Sequence, residues 1–271
     1  MAKTVVITGG TDGIGAALAR ALAARGDRAV VLGRDRERGA RLVAEGNGLI
    51  SFLETDLSLM SNTREAAEEI AATHQEIDGL VLCARFFQTR RTVTEEGLEH
   101  NFALFYLSRA VLGEGLAGPL GRAERAVVVN VAGPGHDTPI DWEDLQSTRD
   151  YDGVRAMFQA GRLNDLLGVD FAAKHPGIAY VLFHPGTTAT GFAGDYDPAT
   201  AAFIEQQKAR AKPATEVTEP LLTRLDEPPR KSLSAFHLHT ELDVRNGLFD
   251  PADAARLAGL GLTSSRRSER P

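Results

Sequence analysis

The stretch that decides the fold is Thr8-Gly9-Gly10-Thr11-Asp12-Gly13-Ile14-Gly15, which follows the apolar run Thr4 to Thr8 and precedes a helical pattern. Glycines let a backbone turn tightly and approach a pyrophosphate, and the N–H groups and positive dipole of a helix N-terminus stabilise its charge. A strand, a glycine turn and a helix in this order predict a dinucleotide cradle. The residues expected to bind this cofactor are Gly9, Thr11, Asp12, Gly13, Ile14 and Gly15.

Five more short apolar runs follow along the chain, separated by longer amphipathic stretches. They are Arg28 to Leu32, Leu49 to Leu53, Gly79 to Ala84, Ala126 to Ala132 and Ile178 to Phe183. The intervening apolar residues recur mostly three and four apart, which is typical of helices packed on one face. Strands that alternate with helices form parallel sheets through right-handed crossovers. The sequence therefore predicts an α/β fold with a Rossmann-type, doubly wound parallel sheet flanked by helices.

The organisation of the chain predicts a single domain. Its 271 residues suit one large α/β domain, and neither an internal repeat nor a Gly/Ser-rich linker divides them. We expect this domain to cover residues 1–262, with substrate-side helices and a C-terminal extension over 198–262 and a disordered tail at 263–271. In the extension, the patterns predict helices over Ala199 to Ala211 and Thr215 to Leu225, and a last strand over Leu233 to Leu238.

Charge and cysteine content exclude several classes of protein. With 30 Lys and Arg against 37 Asp and Glu, the formal net charge of −7 does not favour binding to nucleic acid or to an anionic membrane. No apolar run is long enough to span a bilayer or to serve as a signal sequence. The single cysteine, Cys83, excludes an internal disulfide and a multi-cysteine metal site. We expect a cytoplasmic protein without a metal, a nucleic-acid partner or a membrane partner.

Taken together, these motifs resemble those of the short-chain dehydrogenase/reductase superfamily. Its motif Thr-Gly-x-x-x-Gly-x-Gly matches the glycine stretch, and further similarities follow in the family's order up to about Thr190. The resemblance implies that Asp56 and Leu57 lie at the adenine, and that Asn101 is the helix asparagine of the catalytic tetrad. It also implies that the turn after His184 closes over the nicotinamide, with Pro185, Gly186, Thr188 and Thr190 as cofactor contacts.

Two further segments bear on the cofactor. Cys83 and Ala84 stand in the segment that replaces the family's Asn-Asn-Ala-Gly, and we expect them beside the cofactor. The second strand ends in Arg34-Asp35. An acidic side chain at this tip suits the ribose 2′-hydroxyl of NAD, whereas an arginine suits the 2′-phosphate of NADP. Arg34 therefore favours NADP(H), and Asp35 leaves NAD(H) as the alternative.

The family's proton-transfer residues are missing from the positions that the resemblance assigns to them. Ala132 or Gly133 stands at the serine position, and Phe158 and Arg162 stand where the family has Tyr-x-x-x-Lys. Loss of a general acid lowers a rate by about 10²–10⁴, and loss of an oxyanion donor lowers it by about 10²–10³. Arg162 keeps a positive charge suited to ribose hydroxyls. The sequence thus predicts a retained cofactor half and an altered proton-transfer half.

Two functions remain open at this point. The first is an atypical NADP(H)-dependent oxidoreductase, with His136 and Tyr151, besides Asn101 and Arg162, as the candidate catalytic residues. The second is a nucleotide-binding protein with a non-redox role: a cyclase, a dehydratase, an isomerase or a nucleotide sensor. Apolar residues in place of the family's polar ones predict a small-molecule substrate that is bulky, apolar and similar to a secondary metabolite. The resemblance also implies a homo-oligomer, either a dimer or a tetramer.

Overall fold

The computed structural model describes residues 2–190 and 192–263. Its strands are β1 Thr4–Thr8, β2 Arg28–Gly33, β3 Ile50–Glu54, β4 Gly79–Leu82, β5 Phe87–Gln88, β6 Val127–Val131, β7 Ala179–His184, β8 Thr188–Ala189, β9 Gly194–Asp195, β10 Lys212–Pro213, β11 Leu233–His237 and β12 Thr240–Leu242. Eight of them form one sheet in the order β12-β11-β7-β6-β4-β1-β2-β3. Only β12 runs antiparallel to its neighbour within this described sheet.

Helices cover both faces of this sheet. They are α1 Gly13–Ala24, α2 Arg36–Glu45, α3 Met60–Thr73, α4 His100–Phe102, α5 Ser108–Leu120, α6 Gly153–Lys174, α7 Pro198–Lys208, α8 Thr215–Asp226 and α9 Pro251–Gly259, with a π-helical turn at Ala103–Leu107 and a 3₁₀ turn at Gly247–Phe249. Neighbouring residues on a strand point to opposite faces. Val6 accordingly belongs to the core under α3, α5 and α6, whereas Val5 and Ile7 belong to the core under α1 and α8.

The order of the strands positions a crevice at one edge of the sheet. From β1 the chain moves outward to β2 and β3, and then returns across β1 to β4 on the other side. At such a switch point the loops after neighbouring strands diverge, which leaves a crevice at the carboxyl ends of the strands. The predicted single-domain, doubly wound α/β fold is confirmed. The internal boundary at residue 198 stays a prediction.

The structure differs from the expected elements in several places, including the two-residue strands β5, β8, β9 and β10 and the end of α7 at Lys208 instead of Ala211. The fourth strand ends at Leu82, two residues early, because Ala84 leaves the sheet and its N–H donates to Thr8 Oγ1 at 3.1 Å. Helix α9 was not predicted, although Asp250 as N-cap and Pro251 at the first helical position are start signals. Strand β12 was not predicted either.

Two of the expectations concern a C-terminal tail and a membrane-spanning segment. Apart from Thr263, the predicted tail 263–271 lies outside them. No helix within the described part combines the length and the apolar character needed to cross a membrane.

Candidate functional site

The loop between β1 and α1 has a backbone that favours glycine at two positions. Gly9 and Gly13 have φ values of +62° and +51°, in the left-handed region that side chains disfavour. A Cβ on Gly9 would lie 2.7 Å from the Cα of Ala84, and one on Gly15 would lie 2.6 Å from the carbonyl oxygen of Gly9. The glycines therefore leave no side chain at these close contacts, and the positive end of the helix dipole there suits an anion.

Asp12 caps this helix and is itself paired. Its Oδ1 accepts from the N–H of Gly13 at 2.7 Å, and its Oδ2 lies 2.8 Å from Arg38 Nη1. The guanidinium thus offsets a carboxylate that would otherwise repel an anion at this end of the helix.

Two arginines follow β2: Arg34 directly after the strand and Arg38 in the first turn of α2. Asp35 caps α2 by accepting from the N–H of Arg38 at 2.9 Å, and its carboxylate also pairs with Arg38 Nε at 3.1 Å. Arg34 stacks over the ring of Phe86, 4.8 Å from its centroid, and lies 3.7 Å from Asp56. Arg34 and Arg38 both line the crevice. Asp35 lines the crevice as well, with its carboxylate engaged as the cap of α2.

A cleft of about 820 Å³ runs from the glycine loop along the carboxyl edge of the sheet. The predicted cofactor residues that line it are Gly9, Thr11, Asp12, Gly13, Ile14, Gly15, Arg34, Asp56, Leu57, Cys83, Ala84, Pro185, Gly186, Thr188 and Thr190. Residues separated by as much as 180 positions in the chain therefore meet in one groove. The groove joins these residues, which were predicted to bind a dinucleotide. The roles of the individual residues stay predictions.

Arg162 is the cofactor residue that the structure does not bring to the cleft. Its Nη1 binds the carboxylate of Asp165, and its Nη2 donates to the carbonyl oxygen of Leu248 at 2.7 Å. Both members of this ion pair are buried. Burial raises the pKa of Asp165 to about 6, although the N–H of Gly135 and the guanidinium of Arg162 act in the opposite direction. The predicted contact of Arg162 with ribose is not made from this position.

The helical register of α6 explains why Arg162 does not reach the cleft. Residues four apart share a helix face, and the pair of this spacing that faces the cleft is Met157 and Gly161. Phe158 also lines the cleft, but its partner at the fourth position, Arg162, points into the protein. The aligned Tyr-x-x-x-Lys pair was therefore placed one residue too far along the chain, and methionine and glycine occupy the two positions that face the groove.

Asn101 and Tyr151 lie together, away from the cleft. The Nδ2 of Asn101 donates to the Tyr151 hydroxyl at 2.8 Å and to the carbonyl of Gln88 at 2.8 Å, and the hydroxyl donates to Glu99 at 2.9 Å. Burial and the neighbouring Glu99 raise the pKa of Tyr151, and burial also raises the pKa of Glu99. This cluster anchors the segment around β5, so neither residue stands where a catalytic group would contact a substrate.

His136 lies at the rim of the groove. Its ring stacks on Phe158, with the centroids 4.1 Å apart and the planes at 22°, and its Nδ1 is 2.7 Å from the hydroxyl of Thr138. The side chain is 43% exposed. Phe158 separates the imidazole from the cleft, so the candidate proton donor on this loop is not among the lining residues.

The end of the cleft opposite the glycine loop is mostly apolar, with Phe105, Ala132, Gly133, Met157, Phe158 and Gly161 among its lining residues. Polar side chains that line the cleft include Arg109 and Asn164, and Cys83, beside the glycine loop, lines it too. Arg109 donates to Asn130 and to the carbonyl of Val131, and Asn164 donates to two main-chain carbonyls. Burial raises the pKa of the Cys83 thiol to about 12, which keeps it protonated and unreactive.

Arg109 is a residue that the sequence did not single out. It is buried and lines the cleft, and burial lowers its pKa to about 10. No carboxylate pairs with it among the described residues, and its contacts are an amide and two main-chain carbonyls. A buried cation without a counter-charge is costly, which makes this end of the groove electropositive.

His184 also lines this end. Its Nδ1 accepts from the N–H of Gly186 at 2.9 Å, and its ring contacts that of His237 edge-on, with the centroids 4.8 Å apart. Burial and the neighbouring His237 lower the pKa of His184. Sequence reasoning used this residue only as part of the Pro-Gly turn. Its position as the last residue of β7, at the edge that binds ligands, was the available signal.

Comparisons with known proteins agree with this architecture. The family model for short chain dehydrogenase matches residues 3–139. Oxidoreductase AN1596 of Emericella nidulans is 27% identical over 204 residues, which are 72% of this chain and 61% of that protein, so the chain spans less than two thirds of that relative. A protein of Streptomyces sp. (strain C5), named as a candidate daunorubicin C-13 ketoreductase (DnrU), is 31% identical over 199 residues, 69% of this chain and 67% of that protein.

Solved structures share the fold. A short-chain dehydrogenase from Sphingobium yanoikuyae, in complex with NADPH, superposes with a TM-score of 0.63 at 22% identity, covering 99% of this chain and 98% of that one. A short-chain dehydrogenase from Streptomyces avermitilis superposes with a TM-score of 0.67 at 21% identity, covering 97% and 93%.

Proposed function

This chain belongs to the short-chain dehydrogenase/reductase family, and we propose that it is an NADP(H)-dependent oxidoreductase that reduces the carbonyl group of a bulky, apolar small molecule. The observation that carries the proposal is the unbroken cleft from the glycine loop to the apolar end of the groove. When bound there, the nicotinamide cofactor supplies or accepts hydride.

Different residues of the chain would bind different parts of such a cofactor. The glycine loop and the N-terminus of α1 fit the pyrophosphate, since a Cβ on Gly15 would fill the space between loop and helix and one on Gly9 would meet the backbone of Ala84. Asp56 and Leu57 line the wall beside Arg34, which suits the adenosine end. Pro185 and Thr188 also line the cleft, where they would hold the nicotinamide end.

A preference for NADP(H) over NAD(H) follows from the charges at the tip of β2. Arg34 and Arg38 both face the cleft, and Asp35 is engaged as the cap of α2. Two guanidinium groups suit a phosphate, which they bind through charge-assisted hydrogen bonds. With NAD(H), these groups would keep only their protein partners, Asp56 for Arg34 and both Asp12 and Asp35 for Arg38, and the ribose 2′-hydroxyl would have to share Asp35 with the cap.

The class of substrate follows from the far end of the groove. Phe105, Met157 and Phe158 present apolar surface there, whereas Gly133 and Gly161 leave space. Such a surface suits a bulky apolar ligand, whose burial contributes about 25 cal/mol per Å². The candidate daunorubicin ketoreductase among the relatives supports a ketone of this kind, in keeping with the predicted secondary-metabolite-like substrate.

One observation supports a second function. None of Gly133, Met157 and Gly161 can donate a proton, and the residues that sequence reasoning offered as replacements lie outside the cleft. A bound nucleotide with a structural role, in a non-redox enzyme or a sensor, would need no such donor. The homo-oligomer and the cytoplasmic location stay predictions from the sequence.

The deciding experiment combines binding and turnover. We expect NADPH to bind with saturable affinity, at least tenfold tighter than NADH, in fluorescence titrations. We also expect loss of the nicotinamide absorbance when aromatic polycyclic ketones are added. Tight nucleotide binding without oxidation across a broad panel of carbonyls and iminiums would overturn the redox proposal in favour of the second function. Absence of nucleotide binding would overturn both.

A further inference from the structure

His184 stands beside the position where the family's serine is missing. A Cβ built on Gly133 would lie 3.6 Å from the Cδ2 atom of His184 and, among the described residues, within 4 Å of no other side chain or backbone group outside its neighbours. The Cδ2 and Nε2 atoms are adjacent in an imidazole ring. The Cδ2 edge of His184 therefore borders the space that a serine side chain at residue 133 would occupy, and Nε2 is the next atom of the ring, more than 4 Å from that Cβ.

The hydrogen-bond pattern fixes which nitrogen of His184 carries the proton. The backbone N–H of Gly186 points at Nδ1 at 2.9 Å, and a backbone N–H can only donate. Nδ1 therefore holds a lone pair, and the neutral ring has its proton on Nε2. Within the described residues, Nε2 has no protein partner, and it is not among the fully buried unpartnered atoms. The donor is free for a ligand in the cleft.

The surroundings keep this ring neutral. Desolvation disfavours a charged imidazole, and His237 on the neighbouring strand β11 acts in the same direction. His237 pairs with His184 in the sheet register and is exposed. In the described part of the chain, no other charged group acts on His184. A neutral imidazole is an electrophilic donor rather than an acid, and it keeps this role over a wide pH range.

We propose that His184 takes the place of the missing serine: its Nε2–H donates a hydrogen bond to the carbonyl oxygen of the substrate and stabilises the alkoxide that forms there. The proposal rests on the function proposed above. As the carbonyl carbon accepts hydride, with reduced nicotinamide oxidised, the π electron pair moves to the oxygen. The alkoxide then takes a proton from water, which leaves as hydroxide. His184 keeps its own proton throughout.

The other polar groups at this end do not compete for the role. Arg109 and Asn164 direct their bonded N–H groups at protein oxygens, and the Nε of Arg109, which has no partner among the described residues, is fully buried and therefore not exposed to a ligand. The Cys83 thiol is a weak donor. His184 is thus the donor that the protein itself leaves unengaged beside Gly133.

The test uses a ligand that imitates the alkoxide and needs no turnover. We would titrate 4-nitrophenol into the protein with and without NADP⁺ and follow phenolate absorbance, for wild type, His184→Leu, His184→Gln and the control His239→Leu. His239 is exposed and lines no part of the cleft. We expect His184→Leu to weaken phenolate binding at least tenfold. His184→Gln, which retains an N–H donor, and His239→Leu should stay within about threefold of wild type.

Kinetics and nitrogen NMR complete the test. With a carbonyl substrate, we expect His184→Leu to lower kcat by about 10²–10³, with KM and NADPH affinity little changed. Imidazole ¹⁵N spectra should place the His184 proton on Nε2. Equal phenolate binding by wild type and His184→Leu, absence of phenolate binding by wild type, or a proton on Nδ1 would each overturn the assignment. Wild-type turnover with unaffected His184→Leu would overturn it while leaving the proposed function intact, whereas failure of wild type to bind NADPH would overturn the proposed function itself.

Discussion

Arg38 Nη1 lies 2.8 Å from Asp12 Oδ2, which ties the start of α2 to the N-terminus of α1 across the mouth of the cofactor cleft. The same guanidinium contacts the carboxylate of Asp35. One side chain thus offsets two negative charges on the path of an incoming dinucleotide. The sequence did not predict this relationship, because it indicated a role in cofactor binding for Arg34 and none for Arg38.

The first prediction concerns cofactor preference. We expect Arg38→Ala and Arg34→Ala each to weaken NADPH binding about tenfold or more, because a hydrogen bond to a charged group contributes about 1.5–3 kcal/mol. NADH affinity should change much less. Titration of both nucleotides measures the ratio. Arg36→Ala is the matched control, since that side chain is 85% exposed and does not line the cleft. An unchanged NADPH to NADH ratio in both cleft variants would refute the assignment to NADP(H).

A second prediction tests the glycine cradle. Gly13→Asp adds a side chain at a φ of +51°, where a Cβ would lie 2.8 Å from the Cβ of Thr190, and it adds a negative charge at the helix N-terminus. We expect nucleotide binding to be lost in calorimetry, with the circular dichroism spectrum retained. Gly177→Asp adds the same charge at a site with nothing within 4 Å and should bind normally. Full affinity in the Gly13 variant would contradict the cradle.

The corrected register of α6 gives a third prediction. We expect the triple variant Gly133→Ser, Met157→Tyr and Gly161→Lys to gain carbonyl reduction by about 10² or more, because it restores an acid on the groove face. The first and third sites have room for a Cβ. The comparison variant, Gly133→Ser with Phe158→Tyr and Arg162→Lys, should gain little. Steady-state rates with an activated ketone decide between them, and a greater gain in the comparison variant would favour the original alignment.

A fourth prediction concerns the ion pair of Arg162 and Asp165. We expect Arg162→Ala to lower the free energy of unfolding by about 3–5 kcal/mol at pH 8, because it leaves a buried carboxylate unpaired. The pKa of Asp165 is already raised to about 6 by burial, so protonation relieves the penalty as the pH falls through and below that value. The loss should therefore be smaller at pH 5.

Urea unfolding at the two pH values, with Arg155→Ala as an exposed control on the same helix, measures this difference. NADPH affinity of Arg162→Ala should equal that of wild type once the protein is folded. Weakened nucleotide binding with unchanged stability would instead support the contact with ribose that the sequence alone predicted for Arg162.

Much of the cofactor half could be predicted because its signals are local. The glycine loop, the β-branched runs and the acidic cap at Asp12 act within a few residues of one another, so a short window of sequence defines their backbone. The turn after His184 was predicted for the same reason. The cofactor residues predicted in the glycine loop and in the turn after His184 all line one groove in the structure.

The catalytic half could not be predicted in this way because its geometry depends on helix rotation. A shift of one residue along α6 turns a side chain by about 100°, which is the difference between Gly161, which faces the cleft, and Arg162, which is paired with Asp165. Asn101 was misplaced for a similar reason: it is buried against Tyr151, and the residues of the next turns that reach the groove are Leu104, Phe105 and Arg109.

The sequence by itself determined that this chain forms a doubly wound sheet with a glycine-lined loop before its first helix, since periodicity and turn chemistry are properties of short segments. Only the tertiary structure decided which side chains face the far end of the groove. There His184, at the end of β7, meets the empty space beside Gly133 after β6, a juxtaposition that depends on the packing of strands about 50 residues apart in the chain and not on any local pattern.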